Sequence, residues 1–187
     1  MSMPYPITTT STSMSSFIVA LRKKRRMKKI GSGCFATAYG SKTGRTVVKI
    51  GIVREQISWS ADANLQYLRY LKLTEKYADN PFFPKVKGVQ LFRHTATDEL
   101  YMVVEMEKLK PLKRRSEDVG SLLECIMEDP DSFKAAKIIF GKLSDHLAQA
   151  HKVLYTMSEK YCASFDIHGD NVMLRGKSQL VITDPVT

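Results

Sequence analysis

Asp166, Asn171 five residues on, and Asp184 stand close together near the C-terminal end of this 187-residue chain, within Asp166-Ile-His168-Gly-Asp-Asn171-Val-Met-Leu and Ile182-Thr-Asp184-Pro. These residue types suit phosphoryl transfer to a hydroxyl. One carboxylate orients the acceptor and takes its proton, while an amide oxygen and a second carboxylate offer hard oxygen donors to the Mg²⁺ that bridges the phosphates of ATP. A polar turn between two strands would draw on the same residue types. Spacing decides the register. With Asp170 as base, the metal position would fall on Arg175, a cation with no acceptor. With Asp166 as base it falls on Asn171, the apolar run Val172 to Leu174 follows directly, and His168 lies two residues past the base.

Three upstream segments could serve the same chemistry. Ile30-Gly31-Ser32-Gly33-Cys34-Phe35 reads as a glycine hairpin with an aromatic tip. Glycines there allow main-chain amides to approach phosphate oxygens, although Gly-x-Gly marks any tight hairpin and Ala36 stands where a third glycine is usual. Thr46-Val47-Val48-Lys49-Ile50 is a strand carrying one lysine between apolar neighbours, suited to the α- and β-phosphates or, as an edge strand, to solvent. Leu100 to Glu107 reads as a buried strand running into a charged segment. Its expected adenine contacts are the carbonyl of Glu105 and the amide of Glu107, with Val104 lining the pocket, and its hairpin partner is Val86 to Phe92 across the Thr95 to Asp98 turn.

The order of these motifs, with Val48-Lys49-Ile50-Gly51, Phe165-Asp166-x-His168-x-x-Asn171 and Ile182-Thr-Asp184-Pro-Val186, resembles the early serine/threonine protein kinases of autographivirus-type bacteriophages. The resemblance covers roughly residues 27 to 187. It implies the protein-kinase-like superfamily, ATP and Mg²⁺ as cofactors, and an early phage protein in the bacterial host cytoplasm. It also implies phosphorylation of host transcription and RNA-processing proteins, RNA polymerase among them, in host transcription shutoff. The sequence given ends three residues after Asp184, so no activation segment follows it here.

The expected fold is α+β: a compact two-lobe kinase-like domain at 27–187. Its N-lobe (27–106) would be an antiparallel sheet plus one helix, and its C-lobe (107–187) a reduced, mainly helical one. The N-lobe helix reads from Ser60 to Tyr77. It should carry the acid that pairs with Lys49, for which Asp62 is the first candidate and Glu55 the second. Asp129-Pro130 starts a long helical pattern in which Phe133, Phe140, Leu143, Leu147, Ala150, Leu154, Met157 and Tyr161 mark one face behind the catalytic loop.

Charge is uneven. The first 54 residues hold eleven Lys and Arg and no acid, whereas the remaining 133 hold 18 bases against 19 acids. Residues 1–26 read as a flexible arm, Ser/Thr-rich and then basic. The run Arg22 to Lys29 is either solvated or docks an acidic partner or, nonspecifically, nucleic acid. With 43% apolar residues the chain can bury a core, and no apolar run approaches membrane length. Three cysteines without a paired motif suit a reducing compartment.

The expected reaction is in-line transfer from ATP to a Ser or Thr hydroxyl. Asp166 would serve the acceptor, His168 the γ-phosphate or the acceptor, Asn171 and Asp184 the metal, Lys49 and the amides near Ser32 to Phe35 the phosphates, and the Ser/Thr-rich tail is a candidate for autophosphorylation. Two alternatives remain open: a pseudokinase that binds and inhibits a host factor, and a small-molecule kinase.

Overall fold

The computed structural model describes residues 3–33, 35–54, 62–112, 141–167 and 170–186. The chain divides into two compact units. The first comprises residues 1–68 and 85–108, the second 69–84 and 109–187. The fold is α+β, and the second unit takes in 69–84, a segment that a single cut at 106/107 assigns to the first.

In the first unit, β1 (Ile7–Thr10), β2 (Lys28–Ser32), β3 (Ala36–Gly40), β4 (Thr46–Ile52), β5 (Val86–His94) and β6 (Leu100–Glu107) form one sheet in the order β1-β5-β6-β4-β3-β2. From β2 to β6 all pairings are antiparallel, and β5 and β6 form the hairpin expected across residues 95 to 98. The two faces have separate tasks because side chains alternate along a strand. Val48, Ile50, Tyr101 and Val103 belong to a core cluster on one face, and Lys49, Met102, Val104 and Met106 point to the other.

The N-terminal residues differ from the expected flexible arm. Ile7 to Thr10 pair parallel with Leu91 to His94, which makes the sheet mixed, and helix α1 (Met14–Arg25) adds a second helix to this unit. The reason is an apolar stripe at helical spacing. Met14, Phe17, Ile18 and Leu21 pack on Tyr39, Val48, Ile50, Tyr101 and Val103, with the Phe17 ring 6.0 Å from that of Phe92. The Ser13 hydroxyl caps the helix by accepting from the Ser16 amide (3.2 Å), and Arg26, with φ of 51°, ends it. Four cations in the last turn of α1 suit the negative end of its dipole. The basic run is therefore helix end and strand start.

Helix α2 (Ala63–Thr74) continues as a short 3-10 turn, Glu75–Tyr77, as the periodicity of that segment predicts. In the second unit, helix α3 (Ser144–Tyr161) buries Leu147, Ala150, Val153, Leu154 and Met157. Before α3 comes a 3-10 turn, Gly141–Leu143, which opens on Gly141 with a φ of +51°, and the earlier part of the expected long helix lies outside the described residues. Phe133 and Phe140 lie outside the described residues. A three-stranded antiparallel sheet, β7 (Lys110–Pro111), β8 (Val172–Arg175) and β9 (Gln179–Ile182), completes what is described of this unit.

Candidate functional site

Asp166, Asn171 and Asp184 are joined by hydrogen bonds beside an apolar base of buried Ile167, Val172, Val181 and Ile182. The Asn171 side-chain amide nitrogen donates to the main-chain carbonyl of Asp166 at 2.6 Å and to its carboxylate at 3.2 Å. Both partners are acceptors, so the NH₂ end must face them, and Oδ1 is turned away from Asp166. The next links lead to Asp184. Thr183 donates to the Asn171 carbonyl through its amide (2.8 Å) and its hydroxyl (2.9 Å), and the Asp166 amide donates to the Pro185 carbonyl (2.7 Å). A bridge between Phe165 and Val186 closes the arrangement. Both segments that carry the Asp166, Asn171 and Asp184 side chains are thereby stitched to each other.

Two anchors, one buried and one half-buried, fix the adjoining strands. The Tyr70 hydroxyl donates to the Ile182 carbonyl at 2.9 Å, two residues before Asp184. Burial first, and then the charge of Asp184, hold that phenol well above its usual range, so it stays a neutral donor. Arg175 spans the other side, donating to the carbonyls of Pro81 (2.8 Å) and Phe83 (2.7 Å). Asp170 is exposed. His168 lies outside the described residues.

The lysine strand of the first unit is arranged differently. Lys49 pairs with Val104 in the ladder, and its ammonium lies 3.8 Å from the centre of the Tyr67 ring on α2. Tyr67 is buried, and its hydroxyl reaches the Met106 sulfur at 3.9 Å. Asp62 caps α2: its carboxylate accepts from the Leu65 amide at 3.1 Å, and its carbonyl accepts from the Gln66 amide. Burial pushes the Asp62 carboxyl above its ordinary value, an effect partly offset by the amides of Leu65, Arg54 and Asn64 and by the Arg54 charge. Glu55 lies outside the described residues.

Gly31 and Ser32 end β2 and Ala36 begins β3, so the glycine hairpin forms as expected, its turn closed by the Gly33 amide donating to the Ala36 carbonyl at 3.0 Å. Cys34 lies outside the described residues, and Phe35 is exposed. The hairpin is tied down by Asn64, a residue the motifs do not reveal. Its side-chain amide donates to the carbonyls of Phe35 (2.9 Å) and Ile52 (2.6 Å). Gly51 is required beside it, since a Cβ there would come within 2.7 Å of both the Asn64 amide and the Phe35 carbonyl.

The expected adenine contacts need one correction. The Glu107 amide donates to the Lys85 carbonyl at 2.9 Å, and its carboxylate accepts from the Lys85 amide at 2.8 Å. Strand β6 runs on through Glu107, so that amide is spent inside the protein. Val104 is fully buried, and Glu105 pairs with both Val48 and Gly88 in the ladder.

Residues 12–187 match the family model described as Bacteriophage T7 protein kinase 0.7. The chain belongs to that family. No curated protein matches it significantly. Among solved structures, the MAP kinase LmaMPK10 from Leishmania major is similar over 91% of this chain and 49% of its own, at 13% identity and a TM-score of 0.39. The bifunctional kinase-methyltransferase WbdD is similar over 80% of this chain and 29% of its own, at 15% identity and a TM-score of 0.32. The chain thus spans about half the length of that MAP kinase. Among the described residues no helix is long and apolar enough to cross a membrane.

Proposed function

We propose that this member of the phage kinase family transfers the γ-phosphoryl group of ATP to serine or threonine hydroxyls of host proteins, with transcription and RNA-processing machinery as the targets. The observation that carries the reading is the contact of Asn171 with Asp166, joined through Thr183 to the segment that holds Asp184. In this reading Asp166 orients the hydroxyl and accepts its proton. Asn171 Oδ1 and the Asp184 carboxylate are hard oxygen donors, the set Mg²⁺ prefers, and two protein ligands suit an ion whose remaining positions are filled by phosphate oxygens and water. Bound Mg²⁺ would neutralise charge on the phosphates during transfer. Lys49 steadies the α- and β-phosphates, and main-chain amides of the Asn64-anchored hairpin cover the others.

The test is incubation with labelled ATP, Mg²⁺ and a bacterial host lysate, comparing wild type with Asp166→Ala, followed by phosphoamino acid analysis. Label on protein serine and threonine, lost in the variant, is expected. Undiminished labelling by Asp166→Ala, or label confined to small hydroxyl compounds, overturns it.

A further inference from the structure

A groove of about 590 Å³ opens on the first unit between α1 and the sheet. It lies on the face opposite Lys49, because Val48, Val103 and Glu105 line it and alternate with Lys49, Val104 and Met106. Its floor is apolar, formed by buried Leu21, Val48 and Val103 with half-buried Phe17 and Ala20. Its rim is cationic. Lys24, Arg25 and Lys87 are exposed there, and the one acid lining it, Glu105, is paired with Arg25 at 2.7 Å, so three cations face one carboxylate. Arg22 and Lys23 extend the positive surface along the same last turn of α1.

We propose that this groove docks an acidic polypeptide segment that inserts one aromatic or large aliphatic side chain. The volume and apolar floor fit such a side chain, and the rim supplies counter-charges for flanking carboxylates. Nucleic acid fits less well. Its phosphates would find the rim, but Phe17, half-buried against Phe92 and Tyr101, is among the described residues the one aromatic side chain lining the groove, where single-strand binding sites stack successive bases on several rings. The site is independent of the phosphotransfer reading, since none of its side chains is assigned to phosphotransfer.

Gly88 provides a direct probe. It faces Glu105 across the ladder, and a Cβ built on it meets nothing within 4 Å, so a large side chain there fills the groove without disturbing the sheet. The experiment is fluorescence anisotropy with a labelled glutamate-rich peptide carrying one central phenylalanine, a control peptide with serine in its place, and oligothymidylate as competitor. The phenylalanine peptide should bind the full chain at low salt and weaken as salt rises. The serine control, Gly88→Phe, and the double variant Lys24→Glu with Lys87→Glu should each weaken binding about tenfold or more. No binding at low salt overturns the proposal, as do equal affinity for the serine peptide, an undiminished affinity in Gly88→Phe, or tighter binding of oligothymidylate than of the peptide.

Discussion

The lysine strand and the catalytic loop carry the two halves of the proposed chemistry, and they are secured in contrasting ways. Around Asp166 the partners belong to the motifs themselves: Asn171 is five residues away, and Thr183 and Pro185 flank Asp184. Around Lys49 an aromatic face comes from Tyr67, a residue of α2 that stands in none of the motifs. The first arrangement is a polar lock whose geometry follows from the motifs. The second includes a packing outcome, in which the Tyr67 ring takes the ammonium while the Asp62 carboxylate caps the same helix.

Breaking the lock should produce the largest effect. Asn171→Ala removes the proposed metal donor and releases both Asp166 contacts, so turnover should fall by about 10² to 10⁴-fold, the range attached to losing a positioned acid or base. Asn171→Asp separates the two losses. It keeps an oxygen donor but replaces the NH₂ that donates to Asp166 with a second carboxylate, so both Asp166 contacts are lost while a donor for the metal remains. Its turnover should therefore stay well below wild type even with Mg²⁺ in excess. Steady-state rates across Mg²⁺ concentration check this, and wild-type turnover in Asn171→Asp would detach Asn171 from the base.

Smaller effects should follow at Tyr67. Replacing the ring by Tyr67→Leu removes an interaction of about 0.5 to 2 kcal/mol. Tyr67→Phe keeps the ring and loses the hydroxyl, with its contact to the Met106 sulfur. If the ring positions Lys49 for phosphate, Tyr67→Leu should raise the KM for ATP several-fold while Tyr67→Phe leaves it near wild type. Equal KM values for the two variants would make Tyr67 a core residue without a part in nucleotide binding.

The contrast also explains what could be read from the sequence. The hairpin of β5 and β6 and the face of α3 rest on periodicity, and the Asp166, Asn171 and Asp184 spacing rests on two short motifs in a fixed order, and such patterns survive in one dimension. Helix α1 was legible in principle, since Met14, Phe17, Ile18 and Leu21 stand at helical spacing, but the surrounding Thr, Ser and basic residues outweigh them in composition. The parallel pairing of β1 was not legible, because its partner lies some eighty residues away and Thr8 to Thr10 suit a strand or a solvated tail equally. Asn64 and Gly51 are likewise defined only by the meeting of three segments, the glycine hairpin, β4 and α2. The Glu107 amide is engaged by the Lys85 carbonyl because β6 continues further than its charged residues suggest.

The smallest effect concerns Asp62, and its sign distinguishes a helix cap from a partner of Lys49. Burial raises its carboxyl above the ordinary value of 3.8, so the folded state holds that proton more tightly than the unfolded chain does. This contribution favours folding most below the ordinary value, declines as pH rises from there through the folded value, and stays constant above it. Asp62→Asn keeps an acceptor for the Leu65 amide and removes the buried charge. It should be at least as stable as wild type at neutral pH, with the difference fading as pH falls through that window. Asp62→Ala loses the cap and should cost about 1 kcal/mol at any pH where the protein is folded. Urea unfolding of both variants at neutral and acidic pH measures the difference. An ion pair with Lys49 would reverse the order, because losing a favourable charge contact would make Asp62→Asn the less stable protein at neutral pH and raise its KM for ATP.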